Sequence, residues 1–216
     1  MSKNYQYLLF DWDGTLAQTL QTHLKALKDT FSEYEIFPTD FEVTKIVFGD
    51  WCGPLKLGVT QADLDVFISK YLKRVNREVI NAPLYPGVKE MIKNLSEQGK
   101  SLALVTTSAT QLVEPALEIT GMKELFPVIL AAEDVTNHKP AAEIIEKALL
   151  QLGGTKEEAI IIGDSKSDLG AALNAGIDSV FFSPSEHDVF YSKEHLVKEY
   201  SPTFVINNHL ELLDLI

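Results

Sequence analysis

The stretch YLLFDWDGTL, residues 7–16, ends an apolar run on two aspartates one residue apart, then a glycine and a threonine. In extended backbone, residues two apart point the same way, so Asp11 and Asp13 can share one side of a strand end. Neighbouring carboxylates repel unless a cation sits between them. Magnesium suits such a place, because it takes oxygen ligands and keeps positions open for phosphate oxygens. The bland alternative is a polar strand exit, with Asp13-Gly14 as ordinary turn residues, and this motif alone leaves both open. An EF-hand calcium loop does not fit, since Leu16 occupies its glycine position. No glycine loop of the Walker type occurs in the sequence.

A second apolar run, in IIIGDSKSDLGAA (residues 160–172), also ends in acids. The four-residue spacing lets Asp168 sit one turn beyond Asp164 and face the same pocket; the alternative is helix capping by Asp164 or Ser165. LALVTTS offers Thr106 after another apolar run, and NHKPAAE offers Lys139 in a loop beside Pro140. Singly, a strand-end threonine and a loop lysine are ordinary structural residues. Together they supply the donors and positive charge that an anionic substrate needs in a protein of net charge −12.

The elements that must position these residues follow a regular rhythm. Tyr5 to Phe10, Leu102 to Val105, Val128 to Ala131, Ala159 to Ile162 and Val180 to Phe182 read as strands, and Thr203 to Ile206 as an edge strand. Between them lie helical patterns. Val88, Met91, Ile92 and Leu95 recur at helical spacing before Gly99, and a Ser108/Gln111 capping box opens a helix over 111–120. Further helices are expected over 141–152, before Gly176, and over 210–215. Short apolar strands without alternation, separated by helices, indicate a doubly wound parallel sheet covered on both faces. Residues 17–83 break the rhythm: they hold helical patterns, one running from a Thr60/Asp63 capping box to Val79, and no strand. The expected organisation is an α/β core of residues 1–16 and 84–216, with an α-helical cap of residues 17–83 inserted after the first strand. Such an insert lies over the carboxyl ends of the strands, where doubly wound sheets bind ligands.

Composition narrows the class. The negative charge makes nucleic acid and anionic membranes poor partners, and no apolar run is long enough to span a bilayer. With Cys52 as the sole cysteine, no intrachain disulfide forms. The N-terminus lacks the apolar core of a signal peptide, so a cytoplasmic monomer or homodimer is expected.

In order along the chain, DWDGT, Thr106, Lys139 and GDSKSD resemble the four motifs of the haloacid dehalogenase-like superfamily of phosphotransferases. LYPGVKEMIKNLSEQGKSLALVT resembles the segment before the second motif in the phosphoglycolate phosphatase and β-phosphoglucomutase branch, whose small helical cap the insert also resembles. The resemblance implies that Asp11 attacks phosphorus and forms an aspartyl phosphate, and that Asp13 moves the protons. It also implies that Mg2+ is held by Asp11, Asp164 and the Asp13 carbonyl, with Thr106, Thr107 and Lys139 on the phosphate. Asp168 would act through a metal-bound water or by orienting Lys139. Family members that cleave carbon–halogen bonds lack the second aspartate, so Asp13 points to a phosphatase acting on a small phosphorylated metabolite.

A phosphosugar mutase is the alternative enzyme. A phospho-acceptor receiver module, or a binding protein that has lost catalysis, are the alternatives of other classes. Thr107, Gln18 and KPAAE depart from the branch's usual asparagine, aspartate and KPAPD, which leaves substrate identity open. Cap residues with a possible hand in substrate choice are His23, Gly49, Trp51 and Lys56, each of which has an ordinary packing or solvated role as its alternative.

Overall fold

Leu8 and Phe10 turn to one side of the first strand and Leu9 to the other, and each side meets buried apolar side chains. A strand buried on both faces shows no polar alternation, which is why this one reads as a continuous apolar run. The computed structural model describes residues 3–48 and 50–216. Its six-stranded sheet comprises β1 (Tyr7–Phe10), β2 (Ser101–Val105), β3 (Val128–Leu130), β4 (Ala159–Gly163), β5 (Asp178–Phe182) and β6 (Phe204–Ile206). All neighbours are parallel, in the order β3-β2-β1-β4-β5-β6. The winding reverses between β1 and β4, the place where such sheets open a ligand crevice.

The helices are α1 (Leu20–Ser32), α2 (Leu64–Val79), α3 (Val88–Glu97), α4 (Thr110–Thr120), α5 (Glu143–Leu152), α6 (Lys166–Ala175) and α7 (Lys193–Tyr200), with shorter turns between them. Val88, Met91, Ile92 and Leu95 of α3 cover one sheet face with Val113, Ala116 and Leu117 of α4. Ile144, Ile145, Ala148 and Leu149 of α5 cover the other with Ala171, Ala172 and Ala175 of α6. Helices α1 and α2 lie between β1 and β2 and bury their own cluster, including Leu24, Leu27, Phe31, Phe67, Tyr71 and Val75. Phe190, from the loop after β5, packs into that cluster and ties the insert to the sheet. The chain leaves and returns at one place: Ala17 bridges Leu84, and Gln18 N–H donates to Pro83 O (2.8 Å).

Two capping expectations change in detail. Helix α4 begins at Thr110, with Ala109 at its N-cap and no side-chain cap. Glu133 instead accepts from Thr110 N and Oγ1, both at 3.0 Å, so Ser108 is free for another partner. The Thr60/Asp63 pair forms, with Asp63 N–H donating to Thr60 Oγ1 at 3.3 Å, but it closes a turn before α2 begins at Leu64.

Beside this crossing, two buried histidines pack against Tyr85 and Phe182: Tyr85 OH and His187 Nε2 share a hydrogen bond (2.7 Å), and the His209 ring centroid lies 4.1 Å from that of Phe182. Burial pushes both imidazoles down from 6.5 to about 4. The unfolded chain takes up these protons at the higher pH, so their contribution to stability is present above pH 6.5 and is lost as pH falls toward 4. Replacing His209 by Phe removes one share of that slope. Denaturant unfolding at about pH 7.5 and about pH 5 should show the variant gaining ~2 kcal/mol on wild type at the lower pH; a gap that does not change with pH would contradict this.

Candidate active site

The register of the sheet sets the first contacts. Phe10 pairs with Ile162 on one side and Leu104 on the other. Asp11 follows Phe10 directly and Asp164 follows Ile162 by two residues, beyond Gly163, so the two acids leave neighbouring strands one register step apart, and Asp11 N–H donates to Ile162 O (3.0 Å). Lys139 reaches in from the loop between β3 and α5, with its side chain only 1% exposed. Its Nζ donates to Asp11 Oδ1 (2.6 Å), Asp168 Oδ1 (2.6 Å) and the Val105 carbonyl (3.0 Å), which uses all three ammonium protons. Asp168 is fixed in turn from its other oxygen, which accepts from Ser165 N (3.2 Å) and Oγ (2.6 Å) in the first turn of α6.

Thr15 stands between the two strand-end acids, its Oγ1 3.3 Å from Asp11 Oδ2 and 3.1 Å from Asp164 Oδ1. Gly14 closes the far side. Its φ is +76°, and a Cβ there would stand 2.5 Å from Asp164 Oδ2, so both the backbone and the space exclude a side chain. Burial and the charge of Asp168 push the Asp11 carboxyl up to about 7 against the pull of Lys139. Burial, Asp168 and Asp11 likewise raise Asp164 well above an ordinary aspartate. Burial alone would lower Lys139, but Asp11 and Asp168 outweigh it and hold its pKa above the ordinary lysine value.

Carboxylate oxygens of Asp11, Asp164 and Asp168 lie within 4.8 Å of one another. Among the described residues, buried Asp164 Oδ2 has no hydrogen-bond partner. When all three are ionised, as a bound cation would favour, three carboxylates against one ammonium leave an excess of two negative charges. An all-oxygen donor set with one unpartnered oxygen fits a hard divalent cation.

A cavity of about 520 Å³ opens above this cluster, between the sheet edge and α1 and α2. Of the residues expected at a site, Asp11, Asp13, Thr107, Lys139, Asp164, His23 and Trp51 line it. Asp13 Oδ2 accepts from Ser108 Oγ (2.5 Å), and His23 Nδ1 bonds the Tyr71 hydroxyl (2.6 Å). Thr106 and Asp168 lie just beneath the lining, buried, and Thr106 Oγ1 accepts from Ser108 N (3.0 Å). Lys56 is not brought to the cavity; it pairs with Asp50 (2.7 Å) with most of its side chain in solvent. Gly49 lies outside the described residues, and Cys52 is exposed and unpaired.

Three contributors escaped the reading of the sequence. Thr15 was in plain view inside DGT. Ser108 was assigned to a helix cap. Tyr71 lies 48 residues from its partner His23, with no local signal to join them.

The α/β core thus gathers three aspartates and a lysine at the switch point of its sheet, under a helical insert. Residues 8–182 match the family model described as haloacid dehalogenase-like hydrolase. Pyrophosphatase PpaX of Halalkalibacterium halodurans is 32% identical over 215 residues, which cover 97% of this chain and 95% of that protein. A haloacid dehalogenase-like hydrolase from Streptococcus pneumoniae superposes with a TM-score of 0.82 at 23% identity, over 97% of each chain. CbbY from Rhodobacter sphaeroides, solved with phosphate, superposes at 0.74 with 24% identity, over 96% of each chain. The chain belongs to the haloacid dehalogenase-like hydrolases and is an enzyme of that family.

Changing Gly14 to Ala forces Asp164 away from its place. Mn2+ titration by electron paramagnetic resonance should show affinity weakened roughly 10–100-fold, with helix content by circular dichroism retained. Unchanged affinity would separate Asp164 from the cation.

Proposed function

We propose that this hydrolase is a magnesium-dependent phosphatase that removes the phosphoryl group from a small phosphorylated compound by way of a phosphorylated Asp11. The observation that carries the reading is Asp11 itself: a buried carboxylate at the cavity floor, anchored through one oxygen by Lys139, with Asp13 facing the same space. Asp11 attacks phosphorus, and the bond from phosphorus to the alcohol oxygen breaks. Asp13, steadied by Ser108, gives a proton to that oxygen as general acid, so the leaving group departs as a neutral alcohol. Asp13 then takes a proton from the water that attacks phosphorus, and phosphate leaves Asp11 as a free carboxylate.

Lys139 places positive charge beside the phosphoryl oxygens, and Asp168 positions Lys139 through their 2.6 Å pair. Thr106 and Thr107 supply donors at the end of β2. Mg2+, held by Asp11, Asp164 and the Asp13 carbonyl, would neutralise phosphoryl charge as a Lewis acid when bound. Residues 17–83 act as a cap hinged where Ala17 meets Leu84, and its closure keeps bulk water from the reacting centre. No helix among the described residues is long and apolar enough to cross a membrane, and with a single cysteine the enzyme is suited to the reducing cytoplasm.

Phosphate release from a panel of phosphorylated metabolites tests the reading. Activity should vanish with EDTA and return with Mg2+. Asp11→Asn should lower kcat by at least ~10³-fold and Asp13→Asn by about 10²–10⁴-fold. Full activity of Asp11→Asn would overturn the mechanism. Isomerisation of β-glucose 1-phosphate without phosphate release would make the enzyme a mutase.

A further inference from the structure

The cavity wall that comes from the helical insert is largely apolar, with Leu27, Phe48, Phe67, Tyr71, Leu72 and Val75 among its residues. His23, Asp50 and Asn76 are polar side chains that the insert adds to the lining. Among the described residues that line it, Lys139 is the only lysine or arginine, and its three protons already serve Asp11, Asp168 and Val105. His23 is engaged through Nδ1 with Tyr71, and Asp50 is paired with Lys56, whose side chain is mostly in solvent.

The two tryptophans differ sharply: Trp12 is 2% exposed in the core, whereas Trp51 is 60% exposed where it borders the cavity. Its ring centroid lies 6.4 Å from that of Tyr71, tilted by 57°. Leu72 beside it is 37% exposed. This mouth therefore presents apolar surface that a ligand would cover.

We infer that the leaving group is an uncharged alcohol with an aromatic or similarly flat apolar body, seated against the face that Trp51, Tyr71 and Leu72 form; this rests on the phosphatase reading. A leaving group that is itself a phosphate, or that carries a carboxylate, would bring a second anion to a wall without a cation, and an unpaired charge is costly to desolvate. Against Trp51, Tyr71 and Leu72 a sugar would leave hydroxyls facing aliphatic and aromatic carbon, where they lose their water without gaining partners. A flat apolar body loses nothing there and gains contact area and ring stacking. The inference separates this chain from its relative Pyrophosphatase PpaX, whose name specifies a diphosphate.

The test measures kcat/KM of the full chain with Mg2+ for benzyl phosphate, methyl phosphate, phosphoglycolate, pyrophosphate and β-glucose 1-phosphate. Benzyl and methyl phosphate present the same phosphoryl group, so their comparison reads mainly the ring. Benzyl phosphate should exceed each of the others by about tenfold or more, and Trp51→Ala should cut the benzyl-over-methyl ratio by about fivefold. Pyrophosphate, phosphoglycolate or the sugar phosphate turned over faster than benzyl phosphate, or equal rates for benzyl and methyl, would overturn the inference and leave the phosphatase reading standing. A ratio unchanged in Trp51→Ala would overturn the assignment of Trp51. If the folded, Mg2+-supplied chain hydrolyses none of the five, the phosphatase reading falls and the inference with it.

Discussion

Three carboxylates buried within 4.8 Å of one another repel, and one ammonium faces them. At an effective dielectric of about 20, a pair at that separation opposes itself by ~3–4 kcal/mol. Lys139 offsets part of this by binding Asp11 and Asp168 at once, while burial first and the neighbouring carboxylates second raise the pKa of Asp11 and Asp164. The arrangement holds because its members cannot move apart. Adjacent parallel strands fix Asp11 and Asp164, the first turn of α6 fixes Asp168, and Gly14 leaves the only space in which Asp164 fits. The uncompensated charge makes the site a receptor for a divalent cation, and the strain of gathering like charges is what the fold supplies to the chemistry.

The same economy separates reaction from recognition. The charged groups of the cluster come from the sheet edge, its loops and the first turn of α6, while most of the apolar cavity wall comes from the insert between β1 and β2. The insert joins the core through one pair of adjacent crossings and through Phe190, so its wall can vary without disturbing the strand ends. His23 and Tyr71, bonded to each other, are among the polar side chains the insert adds to the cavity, with Asp50 and Asn76.

Much of this was legible in the residues because the decisive features are local. Unalternating strands, three of which run into Asp11, Thr106 and Asp164, announce a parallel sheet with a functional edge, and Asp11, Asp13, Thr107, Lys139 and Asp164 line one cavity. What escaped is non-local or depends on geometry finer than spacing. Ser108 has the composition of a helix cap, but it falls one position early and turns to Asp13. Lys56 has the charge for a phosphate contact, and Asp50 six residues away takes it up. Tyr85 forms a buried cluster with His187, 102 residues away, and with His209, and none carries a local signal.

The central claim is that Asp11 carries the phosphoryl group during turnover. Acid quench of the enzyme in mid-turnover, followed by borohydride reduction and peptide mass spectrometry, reads this directly, because an acyl phosphate is reduced to an alcohol while a free carboxylate is not. The account predicts homoserine at position 11, dependent on substrate and on Mg2+. Phosphate release in the same sample with Asp11 unmodified, or with the mark on another residue, would contradict it.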